Sequence, residues 1–257
     1  MVNEILLGVI IFTTSYIVSV TFTSVFYHRA LCHGALSLTP WLERFILRFG
    51  YFITAIDPMI WICTHRMHHV YSDKENDPHS PVNCPSLFKM NSAHLKYYAL
   101  LNHEFRMDNS SYLSYIKDLN ISLHPLMKLP NIPFLPYSLG NIIVYGLHIL
   151  LYVLIYIQTG SLIYPLALAA GLLGHPIQGI FVNYFGHIGN RFGGYRNFET
   201  DDQSCNNPIV ALCIFGEGYQ NNHHHDSSAV NFAMAKGEFD FGYQVCRLLR
   251  FFKLAHF

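Results

Sequence analysis

The chain has 257 residues, of which 51% are hydrophobic and 12% are charged, whereas roughly a quarter of the residues in soluble domains carry a charge. This composition predicts one domain, residues 1–257, with much of its surface facing lipid. The 16 basic and 16 acidic residues balance. Because no basic run is long enough to follow a phosphate backbone, nucleic acid is excluded as an expected partner.

The first apolar segment covers residues 5–26 and carries no formal charge. About 22 helical residues at 1.5 Å each cross a hydrocarbon core of roughly 30 Å. No basic stretch precedes the segment, and no small-residue cleavage site follows it before Tyr27. We therefore expect a retained transmembrane span and not a signal peptide.

A second apolar segment, residues 41–61, has the length of a span but contains charged side chains. Buried charges near the middle of a bilayer are strongly unfavourable. The segment is therefore predicted to lie along the membrane interface, or to dip into the bilayer and return. The charged residues are Glu43, Arg44, Arg48 and Asp57.

The remaining chain alternates between polar and apolar regions. Residues 71–136 are polar and rich in proline, whereas residues 139–158 and 162–182 are apolar and flank Thr159-Gly160-Ser161, a typical tight turn. Those two segments predict a helical hairpin through the membrane. Residues 243–257 mix apolar and basic side chains, which indicates an amphipathic surface helix. The expected fold is an all-α integral-membrane bundle of about three spans with interfacial helices.

The distribution of basic residues predicts how the chain is oriented. If residues 41–61 make no net crossing, the polar segments that contain most Arg and Lys residues lie on one side of the membrane. The positive-inside rule assigns that side to the cytoplasm. We therefore expect a protein of the inner or cytoplasmic membrane with a histidine-rich cap on the cytosolic side.

Histidine is unusually frequent, with 16 copies, and four clusters of motif residues are informative. In the first cluster, His28 and His33 follow the first span. Five residues on an α-helix of 3.6 residues per turn correspond to a rotation of about 140°. The two imidazoles are therefore expected to point apart and to suit two separate metals.

The other three clusters also lie at the ends of apolar segments or in the polar region that follows them. The second and fourth have motif residues at i, i+3 and i+4, which share one helical face, and the third has an i, i+4 pair. The candidate metal ligands are His65, His68 and His69 in the second cluster, Asn183 and His187 in the third, and Gln220, His223 and His224 in the fourth.

Eight of the candidates are imidazoles, which suits two metals with four or five ligands each and exceeds the four ligands of a structural zinc site. The sequence leaves the roles of Gln220 and the neighbouring His225 open. The other histidines are expected to be packed or hydrogen-bonded residues: His79, His94, His103, His124, His148, His175 and His256.

These motifs resemble the three histidine boxes of the membrane fatty-acid desaturases, specifically the acyl-CoA and acyl-lipid Δ9 branch. The Asn-x-x-x-His element and the Gly-Glu-Gly sequence favour this branch over related hydroxylases and ketolases. The likeness covers nearly the whole chain: Tyr27 to His33, His65 to His69, Ser72-Asp73, Asp77-Pro78-His79, Asn183 to His187, and Gly216-Glu217-Gly218-Tyr219 leading into Asn222-His223-His224.

The resemblance implies a mushroom-shaped helical fold whose cytosolic cap holds two irons beside an acyl tunnel. The eight histidines would be direct ligands, and Asn183 would reach one iron through a water. The implied reaction is oxygen-dependent desaturation of an acyl-CoA or acyl-lipid, at the Δ9 position. The chain departs from the pattern at Gln220, where the third box normally begins with histidine, and it begins about one span later than animal members.

Chemistry limits the choice of cofactor and partner. No side-chain base is strong enough to take hydrogen from an unactivated methylene, so a redox metal is needed. Imidazole accepts zinc, copper, iron and nickel alike, and iron therefore follows from the resemblance alone. The chain has no haem-attachment, flavin-binding or rubredoxin-like motif, which predicts a separate electron donor such as a ferredoxin, a cytochrome or a reductase.

Asp73 and Asp77, just after the second box, either orient ligand histidines through hydrogen bonds or belong to a solvated turn.

Two other functions stay open. A di-iron hydroxylase or ketolase would insert oxygen into the acyl chain. A non-catalytic membrane metal-binding or transport protein would place ligands along a path through the bilayer, and only His148 and His175 lie within the expected spans.

Overall fold

The computed structural model describes residues 2–75, 77, 79–84, 86–106, 137–189 and 191–257. These ranges are mostly helical, which confirms the all-α class. Two strands, β1 (Ser37–Leu38) and β2 (Ala255–His256), form a short antiparallel pair. The helices are α1 (Val2–Val20), a π-helix (Thr21–Cys32), α2 (Pro40–Thr54), α3 (Pro58–Tyr71), α4 (Leu87–Arg106), α5 (Tyr137–Thr159), α6 (Ile163–Leu172), α7 (His175–His187), a 3-10 turn (Arg191–Gly193), α8 (Pro208–Cys213), α9 (Gln220–His225) and α10 (Phe241–Phe251).

Within the described ranges, two helical segments are long and apolar enough to cross a membrane, residues 2–32 and 142–159. The first joins α1 to the π-helix, and the second is most of α5. The predicted spans over residues 5–26 and 139–158 overlap them. Up to four crossings fit if each of two bent helix pairs forms one span.

The apolar segment over residues 162–182, expected to be the third span, is divided between two helices. Residues 163–172 and 177–187 meet at 43°. Helix α7 begins anew with Pro176 in its first turn, and proline has no N–H to continue the hydrogen bonds of a preceding helix. The second arm of the predicted hairpin is therefore bent.

The segment over residues 41–61 is also divided, with α2 and α3 bent by 88°. Asp57 lies at the break, where its carboxylate accepts hydrogen bonds from the N–H groups of Met59 at 2.8 Å and Ile60 at 3.2 Å. A capping carboxylate supplies the acceptor that the first helical turn lacks. The bend is compatible with a segment that dips and returns, and its depth in the membrane stays a prediction.

Helix α1 packs closely against α6 through small residues. A Cβ atom at Gly171 would lie 1.9 Å from the Ser15 hydroxyl oxygen, so only glycine permits this approach. The hydroxyl of Ser19 donates a hydrogen bond of 3.0 Å to the Leu172 carbonyl. Such small-residue contacts are typical of helices that pack within membranes. They place the start of the π-helix beside the helices that lead to the third histidine motif.

The C-terminal segment differs from the prediction of one helix over residues 243–257. Helix α10 ends at Phe251, and Lys253 has a left-handed backbone with φ of 57°, so the prediction is wrong for the last residues. There Ser37 pairs with His256, and Leu38 pairs with Ala255. The chain end is thus attached just after the first histidine motif.

Part of the predicted polar region, residues 107–136, lies outside the described residues, and so does His124. The side chains of His103 and His175 are also not described.

Candidate metal centre

The histidine motifs meet where helices end. The π-helix, α3 and α7 contribute their last turns, and α9 consists almost entirely of motif residues. In each of two groups, the candidate ligand atoms lie within 4.8 Å of one another. The five-histidine group consists of His28, His33, His65, His69 and His223, and the three-histidine group consists of His68, His187 and His224. All eight predicted histidines are therefore brought together.

The five-histidine group has closely spaced Nε2 atoms. His65 Nε2 lies 3.0 Å from those of both His33 and His69, and His69 Nε2 lies 2.9 Å from that of His223. One Nε2 either donates or accepts a single hydrogen bond, so mutual hydrogen bonds cannot account for this packing. Two imidazoles held at about 2.1 Å from one ion, at a right angle, are about 3.0 Å apart. The spacing therefore fits one metal with five or six ligands.

His28 and His33 belong to the same group, with ring centroids 4.9 Å apart. The expectation that their imidazoles point apart towards separate metals is wrong. The N–H of His33 donates to the His28 carbonyl at 3.1 Å, and this i→i+5 bond is typical of a π-helix. Such a turn places residues five apart on one face, whereas an α-helix separates them.

The three-histidine group lies directly beside the first. His68 Nε2 is 3.2 Å from His187 Nε2, and the His224 ring lies 5.0 Å from that of His68 and 4.9 Å from that of His187. His224 also stacks on His69 of the five-histidine group, with 4.6 Å between centroids. Two metals held by the two groups would therefore be neighbours.

Carboxylate oxygens lie at ion-pair distance from the outer nitrogen of four of these rings, and three of those nitrogens, in His68, His187 and His224, donate hydrogen bonds to them. This contact keeps the proton on Nδ1, so the Nε2 lone pair is available to a metal. Asp73 and Asp77 were predicted for this role, whereas Glu217 and Asp202 were missed as orienting groups. Glu217 lies in the Gly-Glu-Gly motif, but Asp202 has no signal in the sequence. The pairs are His28–Glu217 at 2.6 Å, His68–Asp77 at 2.9 Å, His187–Asp73 at 2.9 Å and His224–Asp202 at 2.5 Å.

The protonation states suit metal binding. Burial alone would raise the pKa of Asp73, but the hydrogen bond and the charge of His187 lower it to about 2. Burial also opposes ionisation of Glu217, and His28 and Arg29 hold its pKa below the usual value. On the ligand side, burial lowers the pKa of His224 to about 4. The imidazole of His224 therefore stays neutral, as a metal ligand must be. Burial would also lower the pKa of His187, but the hydrogen bond and charge of Asp73 raise it, so a metal bound there would displace a proton.

A cavity of about 380 Å³ with a mostly apolar wall reaches the histidines. Its wall includes His65 of the five-histidine group, and the Trp61 ring stacks on this imidazole with 4.9 Å between centroids. Asn183 and Gln220 also line the cavity. Its apolar wall includes Ile56, Ile60, Leu173, Val182 and Ile214.

The family model for fatty acid desaturases matches residues 4–230. The chain belongs to this family. Similar proteins include Delta-9 desaturase-like 5 protein of Arabidopsis thaliana, 27% identical over 92% of this chain and 71% of the relative. Acyl-CoA 5-desaturase AL21 of Anemone leveillei is 26% identical over 91% of this chain and 65% of the relative. The sn-1 stearoyl-lipid 9-desaturase of Anabaena variabilis is 24% identical over 89% of this chain and 75% of the relative. The predicted family is confirmed, and so is the prediction that the chain is a desaturase type of enzyme.

This desaturase family member spans between 56% and 75% of the length of its curated relatives. Their names include Δ9, Δ5 and Δ7 desaturases, and both acyl-CoA and acyl-lipid substrates. Members of this one family therefore differ in the position of the double bond and in the carrier of the acyl chain.

Gln220 occupies the place of the missing third-box histidine in this desaturase family member. Its side chain is buried and lies against Gly186, where a Cβ atom would come within 2.4 Å of the glutamine Cγ. The Gln220 amide nitrogen donates a hydrogen bond of 2.8 Å to the Glu217 carbonyl. Because the nitrogen is engaged with the backbone, the amide oxygen is the group that is available as a ligand.

His225 belongs to neither group. Its ring is exposed and stacks on Phe198, with 3.9 Å between parallel ring centroids, so it does not replace the missing histidine. His79 and His94 were expected to be packed or hydrogen-bonded, and their Nδ1 atoms are 3.1 Å apart. The His79 ring is tilted against that of His68, with 4.6 Å between centroids, and His79 forms a further group of close ligand atoms with His68 and Asp77.

Proposed function

We propose that the chain desaturates a fatty-acyl chain in an oxygen-dependent reaction at a two-iron centre, with electrons from a separate donor protein. The observation that supports this most directly is the convergence of eight imidazoles into two adjacent groups, one of which contributes His65 to the wall of a largely apolar cavity. The substrate is an acyl-CoA or an acyl-lipid, and the proposed position is Δ9, as in several relatives.

In this proposal the five-histidine group holds one iron and the three-histidine group holds the other. Asn183 and the Gln220 amide oxygen complete the second site. The donor set fits iron because neutral imidazoles and amide oxygens are ligands that ferrous ions accept. When bound, the iron pair supplies the redox chemistry that removes hydrogen from unactivated methylenes.

The chain's own residues prepare the ligands. The carboxylates of Asp73, Asp77, Asp202 and Glu217 retain the Nδ1 protons of their partner imidazoles. Each ring is thereby fixed in one tautomer and one orientation. These carboxylates also balance the positive charge that two ions bring into a buried site, which would otherwise be costly.

The cavity positions the substrate. Its apolar wall accepts a hydrocarbon chain through burial of surface from water, and Trp61 beside His65 keeps that part of the wall dry. The overall reaction takes two hydrogens from adjacent carbons and reduces one O₂ to two waters with two electrons and two protons from outside. A dry cavity favours this outcome because it excludes competing reactions with bulk water.

The membrane setting of the proposal follows the apolar helices. The cavity and α1 lie in or near the bilayer, and the histidine cap lies on the cytoplasmic face of an inner or cytoplasmic membrane. An acyl substrate dissolved in the bilayer can then reach the cavity, while a soluble electron donor reaches the cap from the cytosol. The basic residues near the motifs support this orientation.

The test is expression in a host that lacks its own desaturase, followed by mass analysis of cellular fatty acids. Wild type should yield acyl chains two mass units lighter than their saturated precursors. His68→Ala should abolish the product, whereas His256→Ala, an exposed histidine on β2, should retain it. A gain of sixteen mass units would instead identify a hydroxylase. An unchanged acyl profile, together with metal flux into vesicles, would identify a transporter and refute the proposal.

A further inference from the structure

A second cleft, lined by polar residues, also reaches the histidines. This acidic cleft has a volume of about 350 Å³ and shares no lining residue with the apolar cavity. Two of its residues come from different metal groups, His69 and His224. The other residues that line the acidic cleft are Glu199, Thr200, Asp201, Asp202 and His225.

The inner wall of the acidic cleft presents a nitrogen that is ready to bind a cation. The His224 side chain is 3% exposed, and its Nδ1 is engaged with Asp202 at 2.5 Å. Its Nε2 is buried and has no hydrogen-bond partner among the described residues. A buried polar atom without a partner is uncommon and calls for an explanation, and a metal at the three-histidine group provides one.

The outer rim of the acidic cleft carries ligand types that divalent metals accept. Glu199, Asp201 and His225 are exposed, and the parallel stack on Phe198 holds the His225 ring in place. The nearby guanidinium of Arg196 donates to the backbone carbonyls of Thr200 and Asp202. With Glu199, Asp201 and Asp202 against this one guanidinium, the acidic cleft is negative and attracts cations.

We propose that the acidic cleft is the path by which ferrous iron reaches both histidine groups, with Glu199, Asp201 and His225 as its first, transient ligands. This inference rests on the proposed two-metal centre. The apolar cavity is a poor alternative path, because most of its wall is apolar and a hydrated divalent ion loses solvation there. The two carboxylates in that wall, Asp57 and Glu217, are already engaged by the Met59 N–H and by Arg29. In the acidic cleft, carboxylate and imidazole ligands replace the waters stepwise, and the path ends on one imidazole from each group.

The experiment measures metal loading and not activity. The full chain is purified in detergent, stripped with a chelator and mixed rapidly with Co²⁺ alone, and with Fe²⁺ alone under anaerobic conditions. The double variant Glu199→Gln/Asp201→Asn removes two charges with little change of shape. His225→Phe keeps an aromatic ring to stack on Phe198 but removes the nitrogens. Glu75→Gln, an exposed carboxylate outside the cleft, is the matched control.

We expect the double variant to load about tenfold more slowly, with a weaker dependence on salt, and His225→Phe to load several-fold more slowly. The final number of metals per chain should equal that of wild type. Release to a chelator should slow by the same factor, because a path changes the barrier and not the equilibrium. The Glu75→Gln control should match wild type.

Equal loading rates in all variants would refute the path. So would a lower final metal content in the double variant, since the rim residues would then belong to the final sites. If wild type binds metal and the cleft variants load at the same rate as wild type, the path is refuted but the proposed two-iron function is intact. A wild-type chain that binds no metal refutes both that function and this inference.

Discussion

Arg29 donates a hydrogen bond of 2.8 Å from Nη1 to the carboxylate of Glu217, although 188 residues separate them in the sequence. Both side chains are buried, and the other oxygen of the same carboxylate lies 2.6 Å from His28 Nδ1. Arg29 also pairs with Asp240 at 2.9 Å and lies over the Phe232 ring at 3.8 Å. One carboxylate therefore connects a metal-group histidine to the buried arginine that holds the C-terminal segment.

Replacement of Glu217 by glutamine should destabilise the protein even without metal. The change leaves a buried guanidinium with one carboxylate where it had two, and the loss of one partner of a buried ion pair typically costs about 3–5 kcal/mol. We expect the free energy of unfolding of the chelator-treated protein to fall by this amount in a denaturant titration. The exposed Glu75→Gln substitution should change it by less than about 0.5 kcal/mol. Equal stabilities of the two variants would contradict the role assigned to Glu217.

Asp77→Asn should weaken metal binding without displacing a ligand. Asp77 accepts the Nδ1 hydrogen bond of His68 at 2.9 Å, and the pKa of this carboxyl is lowered because His68 outweighs the effect of burial. Loss of such a partner typically lowers metal affinity about 10–100-fold. Competition with a chelator of known affinity measures this change.

The control for this measurement is Asp226→Asn, an exposed carboxylate that accepts hydrogen bonds from the N–H and hydroxyl of Ser228. It should leave the affinity as in wild type. If Asp77→Asn binds both metals as tightly as the control, the orienting hydrogen bond is not important for the site.

A larger side chain in the apolar cavity should alter the substrate preference. Val182→Phe fills space along the cavity wall, and even a single methylene group changes discrimination by about 10–200-fold. Turnover of long acyl chains should fall at least about tenfold relative to shorter ones, with metal content unchanged. Ile177→Phe on the same helix, where the side chain is 61% exposed, should leave the fatty-acid profile unaltered. An unchanged chain-length preference in Val182→Phe would mean that substrate does not occupy this cavity.

Much of the candidate site could be predicted because its ligands follow short periodic spacings. The i, i+3, i+4 motif placed His65, His68 and His69 on one helical face, and α3 has that geometry. The first motif failed because nothing in the local sequence revealed that the first span continues as a π-helix. A change in helix type depends on packing against distant elements, so periodicity assumed for an α-helix misjudged His28 and His33.

Charges were harder to interpret than histidines. Arg29 belongs to the basic residues that follow the first span, yet it is fully buried between Glu217 and Asp240. Asp202 was missed because its partner His224 lies 22 residues away and the contact depends on the loop between them. Asp57 was taken as a reason against a span, and it caps α3 at the break between two helices. Each of these roles is set by tertiary contacts that local patterns do not encode.

The replacement of histidine by Gln220 predicts that the two metal sites differ in affinity. The five-histidine group offers five imidazoles, whereas the three-histidine group offers three and, in the proposed assignment, is completed by Asn183 and the neutral amide oxygen of Gln220. Imidazole is the stronger donor for first-row metals such as ferrous iron. A titration of the metal-free chain with Co²⁺, followed by calorimetry, should therefore show one tight site and one weaker site.

Gln220→His should strengthen the weaker site by at least about tenfold and leave the tighter site unchanged. Gln220→Leu, which removes the amide oxygen, should weaken it further. Gln244→His, which adds a histidine on α10 away from the motifs, serves as the control and should behave as wild type. Two sites of equal affinity in wild type, unaffected by either substitution at Gln220, would show that this side chain is not a metal ligand.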